Sequence, residues 1–257
     1  MKEQTMKEQT MRFSNQFVMV TGAAGGIGSA ITRRFLSEGA KVCAVDNRSA
    51  ALHQLVLGLG SPAALLAVEA DVSSEESCKS LSAQVERQWG ALDILVNNAG
   101  KFPVTPFEEI SYAEWREVCA INLDGPFLVT RSVLPLIKAS KSGRIINISS
   151  GSIFAGTPDQ CHYVSAKAGV IGFTRSLAKA LGGHNITVNA ITPGLTDTPP
   201  VLALFPAAVL DEQAKARALK RRETADDLVG AVVFLASAEA AFITGQTIQV
   251  DGGNNFI

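Results

Sequence analysis

The 257-residue chain is poor in the residues that build metal sites and disulfide frameworks. It holds only three histidines, and its four cysteines, Cys43, Cys78, Cys119 and Cys161, show no CxxC or metal-ligand spacing. No metal is therefore expected, and scattered free thiols suit a reducing, cytoplasmic setting. An excess of charge is also missing. The 23 basic and 24 acidic side chains leave a formal net charge of −1, which offers no electrostatic footprint for nucleic acid or an anionic membrane surface. Long apolar runs are absent too. The longest, Leu228 to Ile243, is broken by Ser237 and Glu239 and falls short of a membrane span; a buried helix running into a turn accounts for it. The chain opens on a tandem MKEQT repeat without the apolar stretch of a signal peptide. Residues 1–12 are read as a flexible tail, or a duplicated start, ahead of one domain over 13–257.

What is present is apolar material: 47% of residues are hydrophobic and 18% charged, enough for one large core. Short runs of Val, Ile and Leu predict strands at 17–21, 41–45, 65–70, 92–96, 144–149, 186–191 and 247–250. Helical patterns at 26–38, 49–59, 74–89, 112–138, 162–181 and 224–236 lie between them. Nearly continuous apolar strands imply cover on both faces. Their alternation with helices predicts an α/β fold, a doubly wound parallel sheet with helices on both sides. Such sheets bind ligands beyond the carboxyl ends of their strands, so those ends carry the functional signal.

The first strand end reads TGAAGGIG over Thr21–Gly28, directly before a helix. Glycines there let backbone N–H groups approach a pyrophosphate at the helix N-terminus. The second strand ends at Asp46, eighteen residues past Gly28, where a carboxylate can accept from ribose hydroxyls and repel the 2′-phosphate of NADP. Arg48 competes, because it can accommodate that phosphate; with no Lys or Arg inside the glycine loop, NAD is favoured over NADP. The third strand closes on Asp71-Val72, where the carboxylate can reach adenine, cap the following helix, or do both. The fourth ends in Asn97-Asn98-Ala99-Gly100, with an Asx-type turn as the alternative reading of Asn97. The fifth ends at Ser149-Ser150 and the sixth at Thr192-Pro193-Gly194.

Tyr163 and Lys167 stand four residues apart in a predicted helix, and Ser150 lies thirteen residues before the tyrosine. Positions i and i+4 share a helix face. An ammonium beneath a phenol favours the phenolate, which makes the tyrosine a usable general acid or base. A serine hydroxyl beside it can bond the same substrate oxygen.

Together these motifs resemble the short-chain dehydrogenase/reductase family. The likeness runs from about Phe13 to Gly253 and includes NNAG at Asn97–Gly100, Asn122 in INLDG, YVSAK at Tyr163–Lys167, PG at Pro193–Gly194 and VDGG at Val250–Gly253. The resemblance implies a Rossmann-type sheet of seven parallel strands and a homotetramer, less often a dimer, paired through helices near Tyr112–Lys138 and His162–Leu181. It implies a catalytic tetrad of Asn122, Ser150, Tyr163 and Lys167, with Asn122 distorting its helix and Lys167 lowering the tyrosine pKa. The implied cofactor contacts are Gly22, Gly26, Ile27, Gly28, Asp46, Asp71, Val72, Asn98, Ala99 and Gly100, with Tyr163, Lys167, Pro193, Gly194, Thr196 and Thr198. Thr196 departs from the pattern, since the family usually carries an aliphatic residue there. His162 either lines the substrate pocket or is a half-exposed helix-start residue.

Substrate choice is expected in the segments left free. Residues 195–222 read as a lid, or as a surface excursion packing on itself; Lys101-Phe102-Pro103 and Ser152 to Phe154 flank the centre. Ser150, Ser152, Phe154, Tyr163, Leu195 and Phe205 form the expected substrate contacts, with Phe102 as a further apolar wall. The expected reaction is hydride transfer between NAD(H) and a small alcohol or carbonyl compound, aromatic or cyclic. AGTP at Ala155–Pro158, VIGFTR at Val170–Arg175 and FITGQ at Phe242–Gln246 are similar to stretches in NAD-dependent dehydrogenases of 1-phenylethanol and pyridoxal. The alternative enzyme is a 3-oxoacyl-carrier-protein reductase, which normally prefers NADPH and would dock its carrier on Lys138, Lys141 or Arg144. The alternative of another class is a non-catalytic nucleotide sensor; such members usually lack the tyrosine or lysine present here.

Overall fold

The computed structural model describes residues 11–256; the MKEQT repeat lies outside them. Seven apolar segments form one sheet: β1 (Phe17–Thr21), β2 (Lys41–Asp46), β3 (Leu65–Glu69), β4 (Ile94–Asn97), β5 (Arg144–Ile148), β6 (Thr187–Pro193) and, after a small ribbon, β9 (Thr247–Val250). All pair in parallel, in the order β3-β2-β1-β4-β5-β6-β9. The order reverses between β1 and β4, which opens a crevice at their carboxyl ends. Every residue of β4, β5 and β6 is buried, as a strand covered on both faces requires.

The helices are α1 (Gly26–Ser37), α2 (Ser49–Gly58), α3 (Glu75–Trp89), α4 (Tyr112–Cys119), α5 (Gly125–Ala139), α6 (Ser152–Ala155), α7 (Cys161–Leu181), α8 (Pro199–Leu204), α9 (Ala207–Ala216) and α10 (Ala225–Ala236). Two cores result from strand alternation. Val18 and Val20 pack with Ile31 and Phe35 of α1, Leu52 of α2 and Val229 and Val233 of α10. Met19 points the other way, with Leu81 and Val85 of α3, Val133 and Ile137 of α5 and Leu181 of α7. No helix of the described residues is long and apolar enough to cross a membrane.

Three features refine the sequence reading. The helical pattern over 112–138 is divided into α4 and α5 by a π-helical segment, Ala120–Asp124, which is the distortion the resemblance implied at Asn122. Pro126 has no N–H for the carbonyl four residues earlier, that of Asn122, and the Asn122 amide itself donates to the Val118 carbonyl at 2.9 Å. The segment 195–222 is structured: β7 (Thr196–Asp197) pairs with β8 (Glu223–Thr224), and α8 and α9 lie between them. Finally, Arg12 of the expected tail donates to both Glu38 oxygens, at 2.6 and 2.8 Å. Phe13 beside it is buried against Phe35 with ring centroids 5.0 Å apart.

Candidate active site

A cavity of about 730 Å³ runs along the carboxyl ends of the strands and collects most of the residues singled out above. At one end are the glycine turn, with Gly22, Gly26, Ile27 and Gly28, and the edge residues Asp46, Asp71 and Val72. Asn98, Ala99 and Gly100 form its middle. Ser150, Ser152, Tyr163 and Lys167 stand opposite Pro193, Gly194, Leu195, Thr196, Thr198 and Phe205 at the other end.

The glycine turn is held by close approach. Gly22 has φ +62°, and a Cβ there would lie 2.8 Å from the Ala99 Cα; one on Gly28 would lie 2.2 Å from the Gly22 carbonyl oxygen. Asn98 locks the turn to β4, its amide donating to the carbonyls of Thr21 (2.9 Å) and Gly22 (3.2 Å). The Thr21 hydroxyl accepts in return from the N–H groups of Asn98 and Ala99. Among the described residues no side chain caps α1, and its first turn carries no acid. Gly25, Gly26, Ile27 and Gly28 at its start line the cavity, and the unpartnered N–H groups of a first helical turn fit a pyrophosphate.

Asp46 is almost fully buried. One carboxylate oxygen accepts from the N–H of Arg48 (3.1 Å) and its Nε (3.0 Å); the other accepts from the Ala24 N–H (3.0 Å) and Arg48 Nη2 (3.2 Å). The two features that competed in the sequence are thus bound to each other, with the Arg48 side chain half-exposed. The Asp71 carboxylate accepts from the N–H and hydroxyl of Ser73. The cap expected of Asp71 belongs to Ser74, whose hydroxyl accepts from the Ser77 N–H at 3.2 Å. Asn97 is neither a turn residue nor a cavity residue. Its amide donates to Asn147 Oδ1 (2.8 Å) and to the Thr130 hydroxyl (3.1 Å), and Asn147 donates on to Thr174 (2.9 Å). This quartet ties β4 and β5 to α5 and α7.

At the other end of the cavity, α7 carries Tyr163 and Lys167 on one face, as the i, i+4 spacing requires. The Lys167 ammonium lies 5.8 Å from the centre of the tyrosine ring and donates to the Ile148 carbonyl at 2.8 Å. Burial lowers its pKa to about 8. Burial pushes the Tyr163 phenol up, and a hydrogen bond with Ser150 pulls the other way. Ser150 Oγ lies 2.9 Å from Ser152 Oγ and accepts from the Ser152 N–H at 3.2 Å. Asn122 is fully buried in the π-helical segment, outside the cavity wall. It donates to the Lys101 carbonyl at 2.7 Å and accepts from the Lys101 N–H at 3.3 Å, so it fixes the chain just after Gly100.

Other expectations are revised. Phe154 does not line the cavity; it sits exposed on α6. Phe102 does, with its ring 6.2 Å from that of Tyr163. The Thr196 hydroxyl is committed to Glu223 Oε1, to which it donates at 2.9 Å, although the residue lines the cavity. His162 is fully buried and contributes nothing to the cavity wall, so neither sequence reading of it holds. Arg144 is buried with its guanidinium on the carbonyls of Gly143 and Ser237. It begins β5, as far as that strand allows from the cavity, and Lys138 and Lys141 stand at the same end. That end is the wrong one for a carrier docked at the cavity.

Several cavity residues escaped the sequence reading. Gln160, Val209, Gln213, Asn254 and Asn255 all line it. The last two are placed by Asp251, which accepts from the N–H groups of Gly253, Asn254 and Asn255 at 2.9–3.1 Å; the aspartate before the paired glycines was the available signal. At the root of 195–222, Arg217 is fully buried and pairs with Glu223 at 3.4 Å. Burial raises the Glu223 carboxyl to about 7.

A family model described as enoyl-(acyl carrier protein) reductase matches residues 22–255. A nodulation protein G of Azospirillum brasilense is 40% identical, over 95% of this chain and 99% of that protein. The 3-oxoacyl-[acyl-carrier-protein] reductase FabG of Thermotoga maritima is 36% identical, with the same coverage of 95% and 99%. A solved short-chain dehydrogenase/reductase structure titled glucose/ribitol dehydrogenase, from Brucella melitensis, superposes with a TM-score of 0.92 at 32% identity, covering 97% of this chain and all of that one. With the glycine turn, the serine, the tyrosine and the lysine all brought to one crevice of a seven-stranded parallel sheet, this chain belongs to the short-chain dehydrogenase/reductase family of nicotinamide-dependent oxidoreductases.

Proposed function

We propose that the chain reduces the 3-oxo group of an acyl thioester, the alternative weighed in the sequence. The carrying observation is its likeness, over nearly the whole length of both chains, to a protein named as a 3-oxoacyl-[acyl-carrier-protein] reductase. A nicotinamide cofactor, when bound, supplies hydride to the carbonyl carbon. Tyr163 delivers the proton to the carbonyl oxygen, which Ser150 holds through a hydrogen bond that strengthens as charge develops there. Lys167 brings a positive charge to the same wall. Uncapped α1 holds the pyrophosphate, and the buried Asp46 at the far edge favours NAD(H) over NADP(H). α8 and α9, with Val201 and Phe205, cover the opening and exclude water.

Oxidation of a small aromatic or cyclic alcohol is the second reading. Phe102, Leu195 and Phe205 favour it as apolar walls, and Phe154 no longer contributes. A non-catalytic sensor would have no need of Ser150, Tyr163 and Lys167 converging on one cavity. The deciding experiment compares kcat/KM for 3-oxoacyl thioesters, on carrier protein and on coenzyme A, with benzylic and cyclic alcohols. Thioesters should lead by orders of magnitude; alcohols in the lead refute the proposal. The subunit is proposed to form a homotetramer through α4, α5 and α7, where Phe127 remains exposed beside Phe173. A monomer in light scattering at working concentration contradicts that.

A further inference from the structure

The first four N–H groups of a helix have no partner within it, and Tyr163 is the third residue of α7. The residue before that helix, Gln160, makes no side-chain cap. Its amide is committed elsewhere, donating to the carbonyls of Phe102 and Pro103 at 3.1 and 3.3 Å. The residue proposed to transfer the proton thus stands where helix ends fray.

The orphaned N–H of Tyr163 does find an acceptor, the Nδ1 of His162, at 2.9 Å. An imidazole nitrogen can accept only if it carries no proton, so a neutral ring must hold its proton on Nε2. Nε2 faces Glu114 Oε1 at 3.4 Å. The same carboxylate oxygen accepts from the Thr105 hydroxyl at 2.8 Å, and the Thr105 N–H donates to the Asp159 carbonyl at 2.8 Å. The ring is completely buried while Glu114 keeps contact with solvent. A continuous chain therefore runs from the loop after Gly100, through Glu114 on α4 and His162, to the backbone of Tyr163.

We infer that His162 is a positioning residue for Tyr163: Nδ1 takes the tyrosine N–H, and Glu114 selects the imidazole tautomer that leaves Nδ1 free to accept. The ring neither touches the cavity nor moves the transferred proton. It fixes the first turn of α7 against the loop that carries Phe102, so that the phenol does not wander from Ser150. Misplacing a reacting group by about 1 Å can cost a hundredfold in rate, so one hydrogen bond at this position governs kcat rather than cofactor binding.

The inference rests on Tyr163 as the proton donor, and the test separates the two. His162→Asn places a side-chain oxygen near the Nδ1 position and keeps an acceptor. His162→Gln instead reaches toward Glu114 and gives up the acceptor, and His162→Leu gives up both. Measured with the best thioester and saturating cofactor, the asparagine variant should stay within about threefold of wild-type kcat. The glutamine and leucine variants should fall about tenfold or more. The dissociation constant for NADH, read by its fluorescence, should stay within about twofold in all three, because none of these changes touches the cofactor end of the cavity. Should the leucine variant fail to fold, the asparagine–glutamine comparison carries the result alone. Equal kcat in asparagine and glutamine variants, or a faster glutamine variant, overturns the inference. Tyr163→Phe is assayed alongside: a variant that keeps turnover overturns the donor assignment as well, whereas an inactive one confines any failure to His162.

Discussion

Replacing Arg217 by methionine should destabilise the protein strongly at alkaline pH and mildly at acid pH. The arginine is buried beneath the root of 195–222 and faces Glu223 at 3.4 Å. It also donates to the Leu195 carbonyl at 2.9 Å and the Arg221 carbonyl at 3.4 Å. Without it, ionised Glu223 keeps the Thr196 hydroxyl as its side-chain partner. Removing one member of a buried pair costs about 3–5 kcal/mol, which for a domain of this size lowers Tm by roughly 6–20 °C. The pH dependence follows from the glutamate, whose pKa is raised from an ordinary 4.5 to about 7 by burial. Between those values the folded chain binds a proton that the unfolded chain lacks. The resulting stability is complete below pH 4.5 and lost as pH rises through about 7. Arg217 is the cation that holds this pKa down, so its loss makes ionisation still less favourable. At pH 5.5, where the carboxyl is largely neutral in both proteins, the penalty should shrink to about 1–3 kcal/mol for the unpaired carbonyls. Calorimetric melting at pH 5.5 and 8.5 measures both terms. Arg217→Met combined with Glu223→Leu should recover much of the loss at pH 8.5. A penalty equal at the two pH values, or a double variant no better than the single one, refutes the reasoning.

Tyr163→Phe should abolish turnover, because the ring still packs on Phe102 but the hydroxyl proposed to carry the proton is gone; bound NADH should persist by fluorescence titration. Asp46→Ala should narrow the proposed preference for NAD(H) in kcat/KM, and a wild-type enzyme that works better with NADP(H) shifts that role to Arg48. Gly28→Ala should weaken cofactor binding more than about tenfold, since its Cβ would meet a backbone oxygen at 2.2 Å; affinity within twofold of wild type argues against the pyrophosphate site. Lys167, lowered to about 8 by burial, is protonated below that pH and neutral above it. The rate of carbonyl reduction should therefore fall as pH climbs through about 8, and a profile still level at pH 9.5 contradicts the role given to its charge.

The parts of the site legible in the sequence were those set by short-range geometry. Tyr163 and Lys167 follow from four residues along a helix, and the glycine turn from its place between strand and helix. Asp46 follows from the end of a strand. What could not be read depends on partners remote in the chain. The break at Ala120–Asp124 is hidden from the apolar pattern, which continues through it; the family resemblance of Asn122 was what implied it, and Pro126 is its local mark. Asn97 reads as a turn until β5 supplies Asn147 as its partner. The orientation of His162 needs Glu114, forty-eight residues earlier. Phe154 follows Ser150 closely, yet α6 turns it outward. Arg144 and Lys138 look available for docking only while the direction of β5 is ignored.

The quartet of Asn97, Thr130, Asn147 and Thr174 bears on how the central strands choose their alignment. A sheet with one wet face sets its register by alternation, because slipping one residue would drive polar side chains inward. β4 and β5 have no such guide, since both faces are apolar and every residue is buried. Asn97 and Asn147 stand directly opposite in the observed pairing, and their amide bond exists in that alignment alone. A slip by one residue would send the Asn97 amide into the apolar layer on the opposite face, at about 1–3 kcal/mol for each stranded polar group. Four polar side chains, remote from any chemistry, thus discriminate one strand pairing from its near-isoenergetic neighbours, and the crevice that opens between β1 and β4 inherits its shape from that choice.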